Sequence, residues 1–241
     1  TPDAVQRLHP LQWDADGPYT WAKNQQACPD GHMLRLHMVH MALSADEQHI
    51  AVGDQDSAHI VIQTQASIQA EAGVLARYAP LSAYPCHATF THTTFPHGSA
   101  TLLASACHLY AGSTGTAPVH SLGTPMQPAR GDLALQAIQT QWRIEASAAV
   151  AGLVVLGDAN GTLHGLDDTG RPLWHHHIGG AVAAIDLAPD GSTLIATSHS
   201  GYLVLLQRVE TGPDPYAIGN SDYAEVGRWI FWEDHAAPLH W

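Results

Sequence analysis

Basic charge is the scarcest commodity in this chain. Nine Lys and Arg stand against 22 Asp and Glu over 241 residues, for a formal net charge of −13. Lys23 is the only lysine. Such a surface cannot release counterions from a nucleic-acid backbone, which needs a basic face, and it does not suit docking on anionic lipid. Cysteine is scarce as well. Cys28, Cys86 and Cys107 are odd in number and widely spaced, which argues against a disulfide framework. No Cys-x-x-Cys pair occurs, so a zinc ribbon is not expected. Buried reduced thiols, as in a cytoplasmic protein, are the expectation. There is no run of 18 apolar residues and no signal-peptide pattern, so neither a membrane span nor membrane binding is expected. The chain begins at Thr1, which fits a processed product or part of something longer. Nucleophile elbow, phosphate loop and kinase motifs are all missing.

What is present is apolar strand chemistry. Apolar residues make up 45% of the chain, enough at this length for one large domain with a core. Charged residues make up only 13%, about half the usual share. Glycines, small polar residues and 18 histidines fill the gap.

One pattern recurs along the chain: an apolar strand, a turn, a second apolar strand, a short polar turn and a third strand. It runs from Met38 to Ile62 and again from Ala183 to Leu206. A third copy spans Gly152 to Leu166. A weaker one joins Cys86–Phe90, a loop around Phe95–Gly98, and Thr101–Ala111. The turn after the second strand falls near positions 53, 105, 157 and 197. That spacing is of propeller-blade size, about 40–50 residues. The apolar runs are short, β-branched and bounded by turn residues, not spaced three and four apart as in a helix. Asn160-Gly161 and Asp190-Gly191 are hairpin turns.

The segment Gly161 to Trp174 resembles a blade of the quinoprotein type, with Asp167, the Thr169-Gly170 turn and Trp174 on an outer strand. Ala183 to Leu206 resembles a WD40 blade without its Trp-Asp signature. Over a longer stretch the chain is similar to degenerate bacterial propellers of the kind associated with MoxR-type ATPases and von Willebrand A domains. The residues concerned are Ala42–Ser44, Gly53–Ser57, Tyr84–His87, Ser105–Gly112, Arg228–Trp232 and Pro238–Trp241. That resemblance implies an assembly role.

The fold expected is therefore all-β: a propeller with four or five blades visible, whole or as part of a larger ring. Residues 1–35, with Trp13 and Trp21, form an N-terminal segment able to supply strands of a fifth blade. Residues 36–241 form the propeller. Residues 228–241 close it as an outer strand, so their deletion should unfold the domain.

Histidine raises the question of a site. His175 and His177 would share one strand face and could bind a metal, although an exposed polar edge strand explains them more simply. His37, His40, His49, His59, His87, His92, His97 and His108 crowd the first two blades, mostly as structural hydrogen-bonding groups. A functional set facing the channel, His59 and His108 among them with His199 further on, is the alternative. Asp54, Asp56, Asp158 and Asn160 occupy equivalent turns and would together make a negative rim, though each is also ordinary turn chemistry. Trp229 and Trp232 are candidate anchors, in a segment that reads as a strand buried on both faces. Asp167 and Asp168 point to opposite faces if they lie on a strand and cannot share a proton. The expected function is a non-catalytic scaffold that binds a protein partner or adjacent domain, with no cofactor. The alternative is a metal- or small-molecule-binding propeller that uses channel histidines.

Overall fold

A computed structural model describes residues 38–55, 58–64, 74–82, 84–91, 101–109, 111–119, 133–139, 141–210, 212–233 and 235–240. The expectations for residues 1–35, His37, Asp56, His92, the Phe95–Gly98 loop and Trp241 lie outside these.

The described strands fall into four sheets, each built of strands in consecutive order. Blade one holds β1 (His40–Leu43), β2 (His49–Gly53), β3 (His59–Gln63) and β4 (Val74–Tyr78). Blade two holds β5 (Tyr84–Phe90), β6 (Thr101–His108), β7 (Ala111–Pro118) and β8 (Gln136–Gln139). Blade three holds β9 (Ile144–Val150), β10 (Leu153–Asp158), β11 (Thr162–Leu166) and β12 (Pro172–His177). Blade four holds β13 (Val182–Leu187), β14 (Thr193–Ser198), β15 (Tyr202–Arg208), β16 (Tyr223–Ile230) and β17 (Leu239–His240). Each strand pairs antiparallel with the next. Four antiparallel strands in consecutive order, with a short fifth in blade four, repeated from sheet to sheet, is the propeller plan.

The core lies between the blades, in three layers. Ala51, Val61, Phe90 and Leu102 fill the junction of blades one and two. Leu103, Val154, Leu156 and Leu166 fill that of blades two and three. Val155, Leu163, Val182, Leu194 and Val204 fill that of blades three and four. Successive side chains of a strand point to opposite faces. Leu102 and Leu103 therefore serve different junctions, as do Val154 and Val155. Blades two and three are covered on both faces, which is why β10 reads as continuous Leu-Val-Val-Leu.

β1 packs on β5, β5 on β9 and β9 on β13, while no comparable packing links β13 back to β1 among the described residues. The four blades form an open series. Residues 228–240 supply the end of β16 and then β17, and they pair within blade four. Phe231 and Trp232 are half-exposed, so the expectation of a strand buried on both faces fails beyond Ile230, where pairing with β15 ends.

Two local expectations also change. The blade-two turn lies beyond His108, not at 105: Ser105 is in mid-strand, where its hydroxyl bonds that of Thr114 at 2.8 Å. Gly112–Thr114 belong to β7 instead of to a turn. The β7 strand of blade two is made of Ala, Gly, Ser, Thr and Pro, and the blade carries no sequence turn signal at Leu109, which nevertheless adopts φ 54°.

Candidate functional site

In the β10–β11 turn, Asp158 closes the hairpin. Its Oδ1 accepts from the amides of Asn160 and Thr162, both at 2.9 Å. Its Oδ2 lies 2.9 Å from Nε2 of His164, and that ring stacks on Trp142 at a centroid distance of 3.7 Å. Burial pushes the Asp158 carboxyl up, but the His164 hydrogen bond and the two amides outweigh it and hold the carboxyl below its ordinary value. Asp54 occupies the same turn of blade one and is buried too. The expected negative rim is therefore not formed by these two residues. Both residues are buried, and the Asp158 carboxylate faces inward because it satisfies its turn. Asn160 and His199 are exposed at the tips of equivalent turns.

The first two blades bring histidines together. His40 Nδ1 donates to the Met38 carbonyl at 2.9 Å, and His40 Nε2 lies 3.2 Å from Nδ1 of His59. His87 Nε2 meets the Ser147 hydroxyl of blade three at 2.7 Å. Burial, then the neighbouring His40 and His87, brings His59 down to about 3. Burial and His40 bring His87 down to about 3, and burial lowers His40. These rings are neutral polar struts at the blade junction. His59 is fully buried and offers no surface to a ligand arriving from solvent. His108 stands apart, exposed at the end of β6 near the Tyr84 ring.

On β12 the expected alternation holds. His176 is buried and bonds Ser221 at 2.9 Å, while His175 is exposed and His177 half-buried. The β12 edge is not open. The His177 amide donates to the Ile218 carbonyl, and the Asn220 amide donates to the His175 carbonyl. The Asn220 side chain accepts from the His175 amide. A loop of blade four therefore caps blade three. Between that loop and β12 lies a cleft of about 430 Å³, lined by His177, Asp214, Tyr216, Glu225 and Arg228 among others. Arg228 is held there by a two-pronged pair with Glu225 and by the Ile178 carbonyl. Among the described residues, no three His, Cys, Asp or Glu side chains converge as a metal cage, and His175 and His177 gain no third ligand.

Asp167 bonds the Thr169 and Arg171 amides and the Arg171 side chain, so Asp167-Asp168 is a turn. Trp174 packs over Gly165, where a β-carbon would strike the indole, and against Tyr223 of the next blade at 5.3 Å. Trp229 stacks on His240 at 4.5 Å.

One surface was missed by sequence reasoning. On β1, His40 and Ala42 face blade two, whereas Val39, Met41 and Leu43 are 60%, 74% and 55% exposed. The signal was there: Val39-His-Met-Ala-Leu43 is apolar on both faces, unlike a strand with one side in water.

No protein-family model and no curated protein matches the chain. Among solved structures, it is similar to the β-propeller domain of Cps50 (Swd1) from Myceliophteria thermophila. The identity is 11%, the match covers 72% of this chain and 53% of that one, and the TM-score is 0.47. It is also similar to hydrazine synthase of Kuenenia stuttgartiensis, at 13% identity, with 75% and 48% covered and a TM-score of 0.49. The chain thus spans about half the length of these solved chains.

Proposed function

We propose that this chain is a non-catalytic propeller scaffold whose protein partner or neighbouring domain packs on blade one. The exposed Val39, Met41 and Leu43 row carries the reading. An inner propeller strand ordinarily packs on the blades to either side of it, and contiguous exposed apolar surface marks an interaction site. The occupant such a face fits is another β-sheet, stacked at about 10 Å. The net charge of −13 favours a partner that is neutral or basic at its rim. The resemblance of the chain to propellers that accompany MoxR-type ATPases and von Willebrand A domains supports a partner within an assembly of that kind.

The test is native-mass measurement of the full chain in extract, beside Met41→Asp. The expected result is a complex containing the wild-type chain and a lone, folded chain for the variant, since a buried unpaired carboxylate at the contact is costly. A wild-type chain that migrates as a lone monomer in extract would sink the proposal, as would a complex indifferent to Met41→Asp.

A further inference from the structure

We propose that Cys86, Cys107 and Met38 form a three-sulfur site for a soft monovalent metal ion of the copper(I) class. The chain has three cysteines and four methionines. The fold draws three of these seven sulfurs together from blades one and two. Cys107, buried near the end of β6, has its Sγ 3.7 Å from Sδ of Met38. Cys86 sits where the β5–β6 register shifts between Pro85 and His87, and Tyr84 pairs with Cys107. That bulge leaves Cys86 unpaired between Pro85, opposite Ala106, and His87, opposite Ser105, and so beside Cys107 on the neighbouring strand. Cys86 also bonds the Ser105 carbonyl at 3.4 Å.

The geometry favours an ion over a disulfide. An S–S bond measures about 2.05 Å, and a thioether cannot take part in one. Three sulfurs about 2.3 Å from a central ion, in one plane, stand about 4 Å apart, close to the separation of Cys107 and Met38. Thiolate and thioether donors together select soft ions. A tetrahedral zinc site needs a fourth donor, and no His, Asp or Glu joins the cysteines as a cage among the described residues. Met38 is held in position: its backbone has φ 57°, a strained value for a residue other than glycine, and its carbonyl accepts from His40. Such strain persists only where the surroundings impose it.

Charge and access are consistent with binding. On binding, both thiols give their protons to water. Two thiolates and one monovalent ion then leave a single negative charge. Cys86 and Met38 are half-buried and provide the path from solvent.

The probe is copper(I), titrated anaerobically into the reduced full chain against the coloured chelator bicinchoninate. The expected result is one ion per chain, with X-ray absorption showing sulfur neighbours only. Cys86→Ser, Cys107→Ser and Met38→Leu should each weaken uptake by more than about tenfold, and Cys28→Ser should leave it unchanged. Since Cys107 is buried and its replacement risks unfolding blade two, the half-buried Cys86→Ser and Met38→Leu, each shown folded by circular dichroism, decide the matter. No uptake by the reduced wild type, or uptake unchanged in either of these two variants, overturns the site.

Discussion

In blades three and four, every described left-handed backbone position is a glycine, Gly152, Gly161, Gly191 and Gly201 among them. In blades one and two, the described left-handed positions are Met38, Glu47 and Leu109. The halves differ inside as well. The junction of blades three and four is mostly apolar, with Leu163, Val182, Leu194, Leu206 and Tyr223, and holds the buried His176 against Ser221. The junction of blades one and two adds His40 and His59 to its aliphatic residues, and a strand of blade two reads Ala-Gly-Ser-Thr-Gly-Thr-Ala-Pro. One plan is thus built twice. The second half obeys local turn and core preferences, while the first half holds strained turns and neutral polar groups in place by packing. Where local and global preferences disagree, the disagreement is a pointer to function. The exposed β1 face and the three sulfurs both lie in the first half.

The largest expected break in this comparison is acid. His59 and His87 are held near 3, and His40 is also lowered, so folding favours their neutral forms. Their contribution to stability is fully present above about pH 6.5 and is lost as pH falls toward about 3. Each unit of depression is worth about 1.4 kcal/mol, so two such rings put several kcal/mol at stake. In the second half burial also lowers His176, one ring against three, while the Asp158 carboxyl shifts the other way and matters only below its ordinary carboxylate range. Between about pH 6.5 and about 4, hydrogen exchange corrected for intrinsic rates should rise in β1–β6 before β9–β15. His59→Leu, which removes a titrating ring, should move the acid midpoint downward. Simultaneous loss of protection in both halves would refute the division.

Next in size is Asp158→Ala. It strands the Asn160 and Thr162 amides and the His164 ring together. Leaving buried partners unsatisfied costs about 3 kcal/mol. The expected result is a lower urea midpoint at unchanged m-value, with the Trp142 environment disturbed. A change within about 0.5 kcal/mol would mean that Gly161 alone suffices to make the turn.

The sequence showed the second half plainly, because its instructions are local. Asn160-Gly161 and Asp190-Gly191 announce their hairpins, and the quinoprotein-like placement of Trp174 proves to be a packing site over Gly165. The first half was legible only as a pattern. Leu109 gives no turn signal, so the blade-two turn was placed four residues early. Small residues in β6 and β7 hid which positions face inward. The alternation of His175, His176 and His177 followed from strand geometry. The loop at 218–220 that covers their strand did not, since it comes from a distant part of the chain. The Asp54 and Asp158 turns were recognised, but both residues are buried, and the Asp158 carboxylate is an internal acceptor instead of a surface charge. The sulfurs meet through a bulge, a one-residue insertion with no sequence signature.

The smallest effect isolates the comparison most cleanly, because two turns share one set of bonds. In blade one the Glu47 amide donates to the Ser44 carbonyl, and Asp46 accepts from the Gln48 amide. In blade four the Gly191 amide donates to the Ala188 carbonyl, and Asp190 accepts from the Ser192 amide. Ser44, whose hydroxyl donates to Asp46, is replaced by Ala188 in blade four, and the residue at the left-handed position differs, with φ 58° at Glu47 and 69° at Gly191. A side chain there costs about 1–2 kcal/mol, partly offset by the extra entropy glycine loses on folding, about 0.5–1 kcal/mol. Glu47→Gly should therefore raise stability by up to about 1 kcal/mol, and Gly191→Ala should lower it by a similar amount. Both are read from chemical denaturation of the same chain. Each carbonyl also accepts from a side-chain hydroxyl, that of Glu47 from Thr64 and that of Gly191 from Tyr223, so the two effects should be similar in size. If Glu47→Gly instead destabilises, the strain in blade one is offset by contacts of Glu47 itself. The two halves would then differ in what their turns touch and not in how well their residues fit.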